Sequence, residues 1–389
     1  MKNYLIKIFH FVFKTFFAVI LMPRSNKKIT KVLLSGYTGL GHFVLKSVIV
    51  KKIEELYPGS QVYIITGNSF GNEFVLDNYP TIILKQESRA INKIMFFLKL
   101  RKEKFDVVIM PIDAAPNFLI RGSILAGIPI RVGHVFNGEY LPEYYYTVKV
   151  PVKLGKVRSE LDMNYDLIEA LYKGNFDRRY EPFVNMNFNG IALEKFGLQK
   201  EKYICIQMGS ANGMETTKRW LENNFKLLIE KLSDNFTGYK IIALGDKGDA
   251  IIVDRICNSI NSDNLLNLSG KTTLSEVKSL IFNCKFLICH DSGLLHIGNA
   301  LKKNVIAIYG PSDPDFYADN LPTCHIIREK IHCSPCQGLF PGKFSFLTEA
   351  ESLKLCSVPE CMQAVTVDSV YNKCVELLNG SQTNSSVLN

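Results

Sequence analysis

The first 31 residues contain no acidic side chain. They carry seven of the 46 basic residues, while the rest of the chain is nearly neutral, with 39 basic and 37 acidic residues. A nucleic-acid-binding protein usually spreads Lys and Arg over a folded face. The surplus here lies on one apolar arm instead, which argues against a nucleic-acid partner and favours an anionic lipid surface. The basic residues of the arm are Lys2, Lys7, Lys14, Arg24, Lys27, Lys28 and Lys31.

The arm also lacks an apolar run long enough to cross a membrane. Its longest uninterrupted run is residues 16–22, whereas a spanning helix needs about 20 apolar residues. Lys14 interrupts the apolar stretch and no small-residue cleavage motif follows, which argues against a cleaved signal peptide. The polar positions share one narrow helical stripe, so we predict that residues 1–30 form a membrane-associating arm at the interface. A cleaved signal peptide and a helix packed on protein are the alternatives. The stripe consists of Asn3, Lys7, His10 and Lys14.

The composition excludes a disordered chain, since 47% of residues are hydrophobic and 21% are charged. Short β-branched runs alternate with longer amphipathic segments, which is typical of an α/β protein with parallel strands. A chain of 389 residues exceeds one hydrophobic core. We predict two doubly wound, Rossmann-like domains, 31–175 and 201–379, which face a cleft, with a linker at 176–200 and a disordered tail at 380–389. The predicted strands are Lys31–Ser35, Val62–Thr66, Ile82–Leu84, Phe105–Met110, Tyr203–Gln207, Ile241–Leu244, Leu265–Leu268, Phe286–Cys289 and Val305–Tyr309.

A dinucleotide-binding fingerprint is missing from the first strand–helix loop. Its glycines, Gly36, Gly39 and Gly41, follow the order G-x-x-G-x-G, whereas the fingerprint is G-x-G-x-x-G. No convincing ribose-binding carboxylate follows the second strand either. An NAD-dependent oxidoreductase is therefore disfavoured.

His42 is the sharper feature of the same loop. It lies at the predicted start of a helix that begins near Phe43, and its imidazole could take a proton from a sugar hydroxyl. A polar helix cap is the alternative. Asp113, which follows the Phe105–Met110 strand, is a second candidate base, although such a carboxylate often only caps the next helix.

The second half offers polar groups at several strand exits, where ligands bind in such sheets. Ser210 and Lys218 could bind phosphate, and Asp246 could accept hydrogen bonds from ribose hydroxyls. The alternatives are that Lys218 is simply solvated near a helix start and that Asp246 belongs to a surface turn.

The most informative stretch is residues 290–300, HDSGLLHIGNA, followed by the strand at 305–309 and the sequence GPS. A strand leads to Asp291, and Ser292 and Gly293 open a helix whose free N–H groups suit a diphosphate. Asp291 could bond sugar hydroxyls. His296, one turn into the helix, could meet the phosphate or simply pack.

The D-S-G-x-x-H motif followed by VIAIYGPS resembles the donor-binding signature of glycosyltransferase family nine, which includes the lipopolysaccharide heptosyltransferases. The resemblance extends over residues 31 to about 370 and includes three further short segments. These are Lys218–Trp220, Gly270–Thr272 and the late cysteine cluster that ends with Cys361 and Met362.

The resemblance implies a GT-B fold, with the acceptor on the first domain and the nucleotide sugar on the second. It implies that Lys218 and the amides of Ser292 and Gly293 hold the diphosphate, that Asp291 holds the transferred sugar, and that Asp246 approaches the ribose. Inverting chemistry without a catalytic metal or cofactor is expected, with ADP-heptose as the family's familiar donor. The expected acceptor is a lipid-linked, lipopolysaccharide-type glycan at the inner, cytoplasmic face of the membrane.

Position 42 departs from the family, because the first-loop base is usually Asp and is His42 here. We expect the imidazole to take over as base. A changed substrate or lost catalysis are the alternatives. If catalysis were lost, the chain would be a nucleotide-sugar-binding scaffold subunit of a glycan-assembly complex.

Ten cysteines are present, four of them in a C-x2-C, x19, C-x4-C arrangement. This arrangement is compatible with a structural zinc site. Free buried thiols in a reducing cytosol are the alternative, since the gap is irregular and the family does not need metal for catalysis. The four residues are Cys333, Cys336, Cys356 and Cys361.

Overall fold

The computed structural model describes twelve segments of the chain, which fall into two compact units. The first unit comprises described residues 28–152 and 160–178, and the second comprises Ser159 and those from 182 to 379. Residues 1–27 of the predicted arm, Ser210 and the tail from 380 lie outside the described residues. The segments are 28–67, 78–135, 145–152, 159–178, 182–186, 191–209, 215–318, 323–336, 338–340, 343–345, 356 and 359–379.

The first unit is built on a parallel six-stranded sheet in the order β3-β2-β1-β4-β5-β6. The central strands are buried on both faces because helices cover them, as their β-branched sequences require. The strands are β1 (Lys31–Ser35), β2 (Gln61–Thr66), β3 (Thr81–Ile83), β4 (Val107–Met110), β5 (Ile130–Val135) and β6 (Val148–Pro151). The helices are α1 (Leu40–Leu56), α2 (Ala90–Leu100), α3 (Asn117–Leu125) and α4 (Glu160–Tyr172).

The second unit has the same architecture, with a parallel six-stranded sheet in the order β12-β11-β10-β7-β8-β9. Its strands are β7 (Tyr203–Gln207), β8 (Lys240–Leu244), β9 (Leu265–Asn267), β10 (Leu287–His290), β11 (Val305–Ile308) and β12 (Cys324–Ile327), with an antiparallel pair β13 (Gly338–Phe340) and β14 (Lys343–Ser345). Its helices are α5 (Ile191–Lys195), α6 (Glu215–Lys218), α7 (Glu222–Asn235), α8 (Ala250–Asn258), α9 (Leu274–Asn283), α10 (Gly293–Ala300), α11 (Pro314–Tyr317), α12 (Glu360–Ala364) and α13 (Val367–Asn379).

The nine strands predicted from sequence are all present, with ends that differ by at most two residues. Five further strands, β5, β6, β12, β13 and β14, were not predicted. The runs of β5, β6 and β12 are short and mix polar with apolar residues, such as Arg131 and His134 in β5. The helix predicted to begin near Phe43 starts at Leu40. His42 therefore lies inside the first turn of α1.

Part of the segment predicted as a linker has structure of its own. Residues 191–195 form α5, and Lys195 Nζ in that helix lies 2.7 Å from Glu276 Oε1 in α9. Lys278 Nζ of α9 also donates a 2.9 Å hydrogen bond to the Asn185 carbonyl. This stretch therefore packs on the second unit.

None of the helices in the described part of the chain combines the length and the apolar character needed to cross a bilayer.

Candidate active site

An ion pair joins α6 to the exit of β10 in the second unit. Lys218 Nζ lies 2.5 Å from Asp291 Oδ2, and both side chains are largely buried. The same ammonium group lies 5.6 Å from the ring centroid of Tyr317. The two residues that sequence assigned to the diphosphate and to the sugar thus meet in one place.

The surroundings keep the Asp291 carboxyl ionised. Burial alone would raise its pKa, but the Lys218 ammonium lowers it below the usual value, and Ser312 and His296 contribute in the same direction. His296 itself is buried in α10. Asp291 is therefore a hydrogen-bond acceptor for hydroxyl groups across the physiological pH range.

His290, the last residue of β10, fixes the segment that carries Lys218. Its Nδ1–H donates to the Gly209 carbonyl and its Nε2 accepts from the Trp220 amide, both at 3.0 Å. Burial lowers the pKa of His290 to about 4, so this double linkage is made by a neutral ring. The loop after β7 and the residues after α6 are thereby tied to the strand that ends beside Asp291.

Ser292 immediately precedes α10, but its side chain does not cap that helix. Its hydroxyl donates instead to Gln207 Oε1 at the end of β7, at 2.5 Å. The amides at the start of α10, from Gly293 onward, carry the partial positive charge of a helix N-terminus. Sequence analysis had not singled out Gln207, which links two adjacent strand exits.

Asp246 lies in an exposed turn after β8. Its Oδ1 accepts from the Asp249 amide at 2.9 Å, and the Asp246 amide donates to Asp249 Oδ2 at 3.2 Å. The buried Asp249 carboxyl also packs on Gly209, where an added Cβ would lie only 1.9 Å from it. The turn holds Asp246 in place, and its ribose-binding role stays a prediction.

The late cysteine segment packs under the loop that follows β11. The Cys336 amide donates to the Pro311 carbonyl at 2.9 Å, and Ser334 Oγ donates to the Gly310 carbonyl at 2.5 Å. A Cβ on Gly310 would lie 2.3 Å from Met362 Sδ and 3.1 Å from Cys361 Sγ, so a larger residue there would displace the Met362 side chain. All ten cysteines are free thiols. Cys333, Cys336 and Cys356 are close enough to Cys361 to help burial raise its pKa to about 11.

A buried polar cluster occupies the first unit, and His42 belongs to it. His42 and Lys46 lie one turn apart on α1, Asp113 follows β4, and Glu160 begins α4. His42 Nδ1 lies 2.5 Å from Glu160 Oε2 and 3.9 Å from Asp113 Oδ2. We call these four residues the His42 cluster.

Lys46 provides the positive charge of the His42 cluster. Its Nζ lies 2.7 Å from Asp113 Oδ2 and 3.1 Å from Glu160 Oε1. Thr38 adds a hydrogen bond from its hydroxyl to Asp113 Oδ2. The side chains of Lys46, Asp113 and Glu160 are at most 6% exposed, whereas that of His42 is 27% exposed. Of the four, His42 is thus the one that a substrate can reach.

The cluster separates the pKa values of its two candidate bases. Burial opposes ionisation of Asp113, but the Lys46 ammonium overcomes it and lowers the Asp113 pKa to about 2. Burial also opposes protonation of His42, but the Glu160 and Asp113 carboxylates raise the His42 pKa above its usual value. His42 is therefore the stronger base.

The ligand atoms of His42, Asp113 and Glu160 lie within 4.8 Å of one another, as they would around a metal ion. Lys46 Nζ, however, already lies within 3.1 Å of both carboxylates, where a divalent cation would have to bind. Two buried cations at this place would repel each other. The Lys46 ammonium therefore competes with a metal ion for these carboxylates.

Sequence analysis missed Lys46, Glu160 and His290. Lys46 carried a signal, because a lysine in the apolar stretch FVLKSVIV, four residues after His42, must lie on the same helix face. The sequence around Glu160 and His290 contains no signal that distinguishes them from ordinary residues at the start of a helix or in a strand.

The model of glycosyltransferase family 9 (heptosyltransferase) matches residues 95–339, which is more than half of the chain. The chain belongs to this family. A segment of 139 residues is 33% identical to lipopolysaccharide heptosyltransferase 2 of Escherichia coli K12, and covers 34% of this family 9 chain and 38% of that relative. The chain thus aligns with less than half of that relative's length.

Solved structures of family members share the fold along nearly the whole chain. E. coli ADP-heptose LPS heptosyltransferase II superposes with a TM-score of 0.67 at 20% identity, covering 91% of this family 9 chain and 100% of that one. E. coli heptosyltransferase WaaC with ADP gives 0.56 at 17% identity, covering 84% and 99%. The predicted α/β, GT-B class is thereby confirmed.

Proposed function

We propose that this chain is an inverting glycosyltransferase that moves a heptose or a related sugar from a nucleoside-diphosphate donor to a lipopolysaccharide or other cell-surface glycan. The observation that carries the proposal is the Lys218–Asp291 pair beside the start of α10. It combines a cation for a diphosphate with a carboxylate for sugar hydroxyls. Family membership supports the same reaction class.

The donor would bind the second unit through groups already described. Lys218 and the amides at Ser292 and Gly293 would hold the diphosphate, because cations and helix N-termini both attract phosphate oxygens. Asp291 would accept hydrogen bonds from the transferred sugar, and Asp246 would approach the ribose. The structure of E. coli heptosyltransferase WaaC contains ADP, which supports an adenosine diphosphate donor here.

His42 is the proposed base, and Glu160 is the proposed positioning residue. With Nδ1 held by Glu160, the Nε2 atom would take the proton as the acceptor oxygen bonds to the anomeric carbon and the bond from that carbon to the diphosphate oxygen breaks. Asp113 suits this task poorly, because Lys46 keeps its pKa at about 2.

The charge of the His42 cluster supports this assignment. With a neutral imidazole, two carboxylates face one ammonium group, so the cluster carries one net negative charge. A proton taken by His42 brings the net charge to zero. The cluster thus stabilises the protonated base that the reaction forms, which the raised pKa of His42 reflects.

Metal independence is part of the proposal. Lys218 would balance the leaving diphosphate, and Lys46 fills the place for a cation in the His42 cluster. The structural zinc predicted at Cys333, Cys336, Cys356 and Cys361 stays a separate prediction. It concerns the support of the Gly310 loop and leaves the reaction unaffected. Metal analysis of the purified chain would remove it if zinc lies well below one equivalent.

A nucleotide-sugar donor and a lipid-linked acceptor would meet at the inner face of the cytoplasmic membrane, where the basic arm of residues 1–30 is expected to bind. The charge distribution supports both parts of this proposal. The basic surplus of the arm favours an anionic membrane, and the nearly neutral remainder of the chain argues against a nucleic-acid partner.

Two experiments, performed one after the other, test the proposed function. Thermal stabilisation by a panel of nucleoside diphosphates and their sugars should show one preferred nucleotide, because a bound ligand stabilises the fold, and Lys218→Ala should lose the effect. Turnover with the preferred donor should then fall about 10²- to 10⁴-fold in His42→Ala, the usual contribution of a general base. Binding without any turnover of the unsubstituted chain would favour the scaffold-subunit alternative. Full turnover in His42→Ala, with loss in Asp113→Asn, would reassign the base.

A further inference from the structure

Helix α2 exposes an apolar stripe to solvent. Ile91, Ile94, Met95 and Leu98 are 60%, 43%, 50% and 40% exposed. Their spacing of i, i+3, i+4 and i+7 puts them on one face of the helix, over a length of about 10 Å. Four of the eleven large, exposed hydrophobic side chains among the described residues thus belong to one helix.

The opposite face of α2 is fully used in the core. Phe97 and Leu100 are buried in the hydrophobic cluster of the first unit. The Phe97 ring packs directly on Gly122 of α3, where an added Cβ would lie 2.1 Å from it. The helix therefore cannot roll to hide the stripe. A surface helix with apolar residues on both faces marks an interaction site, since ordinary surface helices keep their outer face polar.

Basic side chains surround the stripe. Glu87 and Glu103 are the acidic residues between positions 81 and 104, and Glu103 Oε2 lies 3.0 Å from Lys31 Nζ. Lys93 is turned inward, with its ammonium 4.4 Å from the Phe118 ring centroid. The exposed basic residues in this segment are Lys85, Arg89, Lys99, Lys102 and Lys104. An apolar stripe within a positive rim matches an anionic lipid bilayer, which offers acyl chains beneath negative headgroups.

We propose that the exposed face of α2 is a membrane-docking surface for anionic lipid, independent of the N-terminal arm. A second copy of this chain is the weaker candidate occupant. A symmetric dimer would bring two positive rims together, and like charges facing each other oppose association. The docking surface does not depend on the sugar-transfer function.

A tryptophan reporter tests this surface in the full-length chain. The native Trp220 is buried in the second unit, so it contributes a constant background. In Met95→Trp, the added indole should shift its emission to shorter wavelength with phosphatidylglycerol-containing vesicles, and brominated acyl chains should quench it. Phosphatidylcholine vesicles alone should have little effect. In the matched control Ile251→Trp, at a site that is 73% exposed on α8, neither change should occur.

Two outcomes would overturn the docking surface. One is a Met95→Trp chain that floats with anionic vesicles but keeps water-like emission, because the arm would then bind alone. The other is a blue shift without vesicles that grows with protein concentration, which would assign the stripe to a second copy.

The affinity for vesicles provides a second, quantitative readout. Ile94→Gln with Leu98→Gln should weaken binding to anionic vesicles about tenfold or more, because two apolar side chains no longer leave water. Lys99→Gln with Lys102→Gln should weaken binding and reduce its salt dependence. Turnover on a water-soluble acceptor should stay unchanged in both variants. Loss of that turnover with unchanged vesicle binding would contradict the docking role while leaving the proposed function standing.

Discussion

The Glu160 carboxylate lies 2.5 Å from Nδ1 of His42, although 118 positions separate the two residues in the sequence. Helix α4 returns to the start of α1 and brings this carboxylate to the imidazole. A neutral histidine in solution would be a weak base with no fixed orientation. Here Glu160 both orients the ring and raises its pKa.

Glu160→Gln should lower the pKa of His42, since it removes the nearest negative charge. As the base acts in its neutral form, the acidic limb of the pH–rate profile should move to lower pH, and the plateau rate should fall as the ring loses its orientation. Turnover measured against pH, with the His42 ring protons followed by NMR, checks both. Glu169 lies on the same helix but pairs with Arg178, so the control Glu169→Gln should leave the pH–rate profile in place. If the acidic limb of the pH–rate profile did not move in Glu160→Gln, Glu160 would not be the positioning residue of His42.

Lys46→Met should destabilise the first unit by about 3–5 kcal/mol, because it leaves two buried carboxylates without a counter-charge. Denaturant unfolding measures the loss. Lys52→Met, on the same helix, removes a pair with the exposed Glu55 and should cost less than about 1 kcal/mol. Adding Asp113→Asn to Lys46→Met should recover part of the stability, since the two residues are coupled. If the stability losses of Lys46→Met and Asp113→Asn simply added in the double variant, Lys46 would not be the shared counter-charge of Asp113 and Glu160.

Lys218→Met and Asp291→Asn should separate two effects. The lysine variant should bind nucleoside diphosphate more weakly, because the cation for the phosphates is lost. The asparagine variant should keep nucleotide affinity and lose turnover, since it alters the group assigned to the sugar. Calorimetric titration with the diphosphate and steady-state kinetics with its sugar distinguish them. Equal losses of nucleotide affinity in both variants would show that the two residues act only as one ion pair.

The stability of the second unit should fall as the pH drops from about 6.5 to about 4. Burial lowers the pKa of His290 to about 4. In this pH window His290 is therefore protonated in the unfolded chain and neutral in the folded chain. The free energy of unfolding should change by up to about 1.4 kcal/mol per pH unit from this residue. Trp220 fluorescence reports unfolding of this unit.

His290→Asn should flatten that pH dependence while lowering stability at neutral pH, because the Trp220 amide and the Gly209 carbonyl lose a partner. His332→Gln, at an exposed position, should change neither. His134 in the first unit has the same lowered pKa, whereas that of His42 is raised, so His42 contributes stability that is lost as the pH rises. An unchanged slope in His290→Asn would contradict the neutral-ring assignment.

Much of the fold was predictable because buried parallel strands are nearly continuous apolar runs. The central strands β1 and β7 were predicted to the residue, while β5, β6 and β12 were missed because they mix polar with apolar residues. The edge strands β3 and β9 are short, mostly apolar runs and were predicted. Lys218 and Asp291 were both predicted as donor-site residues, but their ion pair was not predicted. The cluster around His42 could not be predicted, because nothing local marks Glu160 as the partner of a residue on another helix.

The four side chains of the His42 cluster balance one another's charge, because the cluster is neutral when His42 is protonated and carries one negative charge when it is not. A carboxylate at position 42, which the family resemblance implies as the usual base, would face Asp113 and Glu160 as a third acid if it alone replaced His42 here. His42→Asp should therefore fold poorly and remain inactive. Relatives with histidine at this position should also carry the lysine one turn later and both acids, and this four-residue pattern would define a branch of the family.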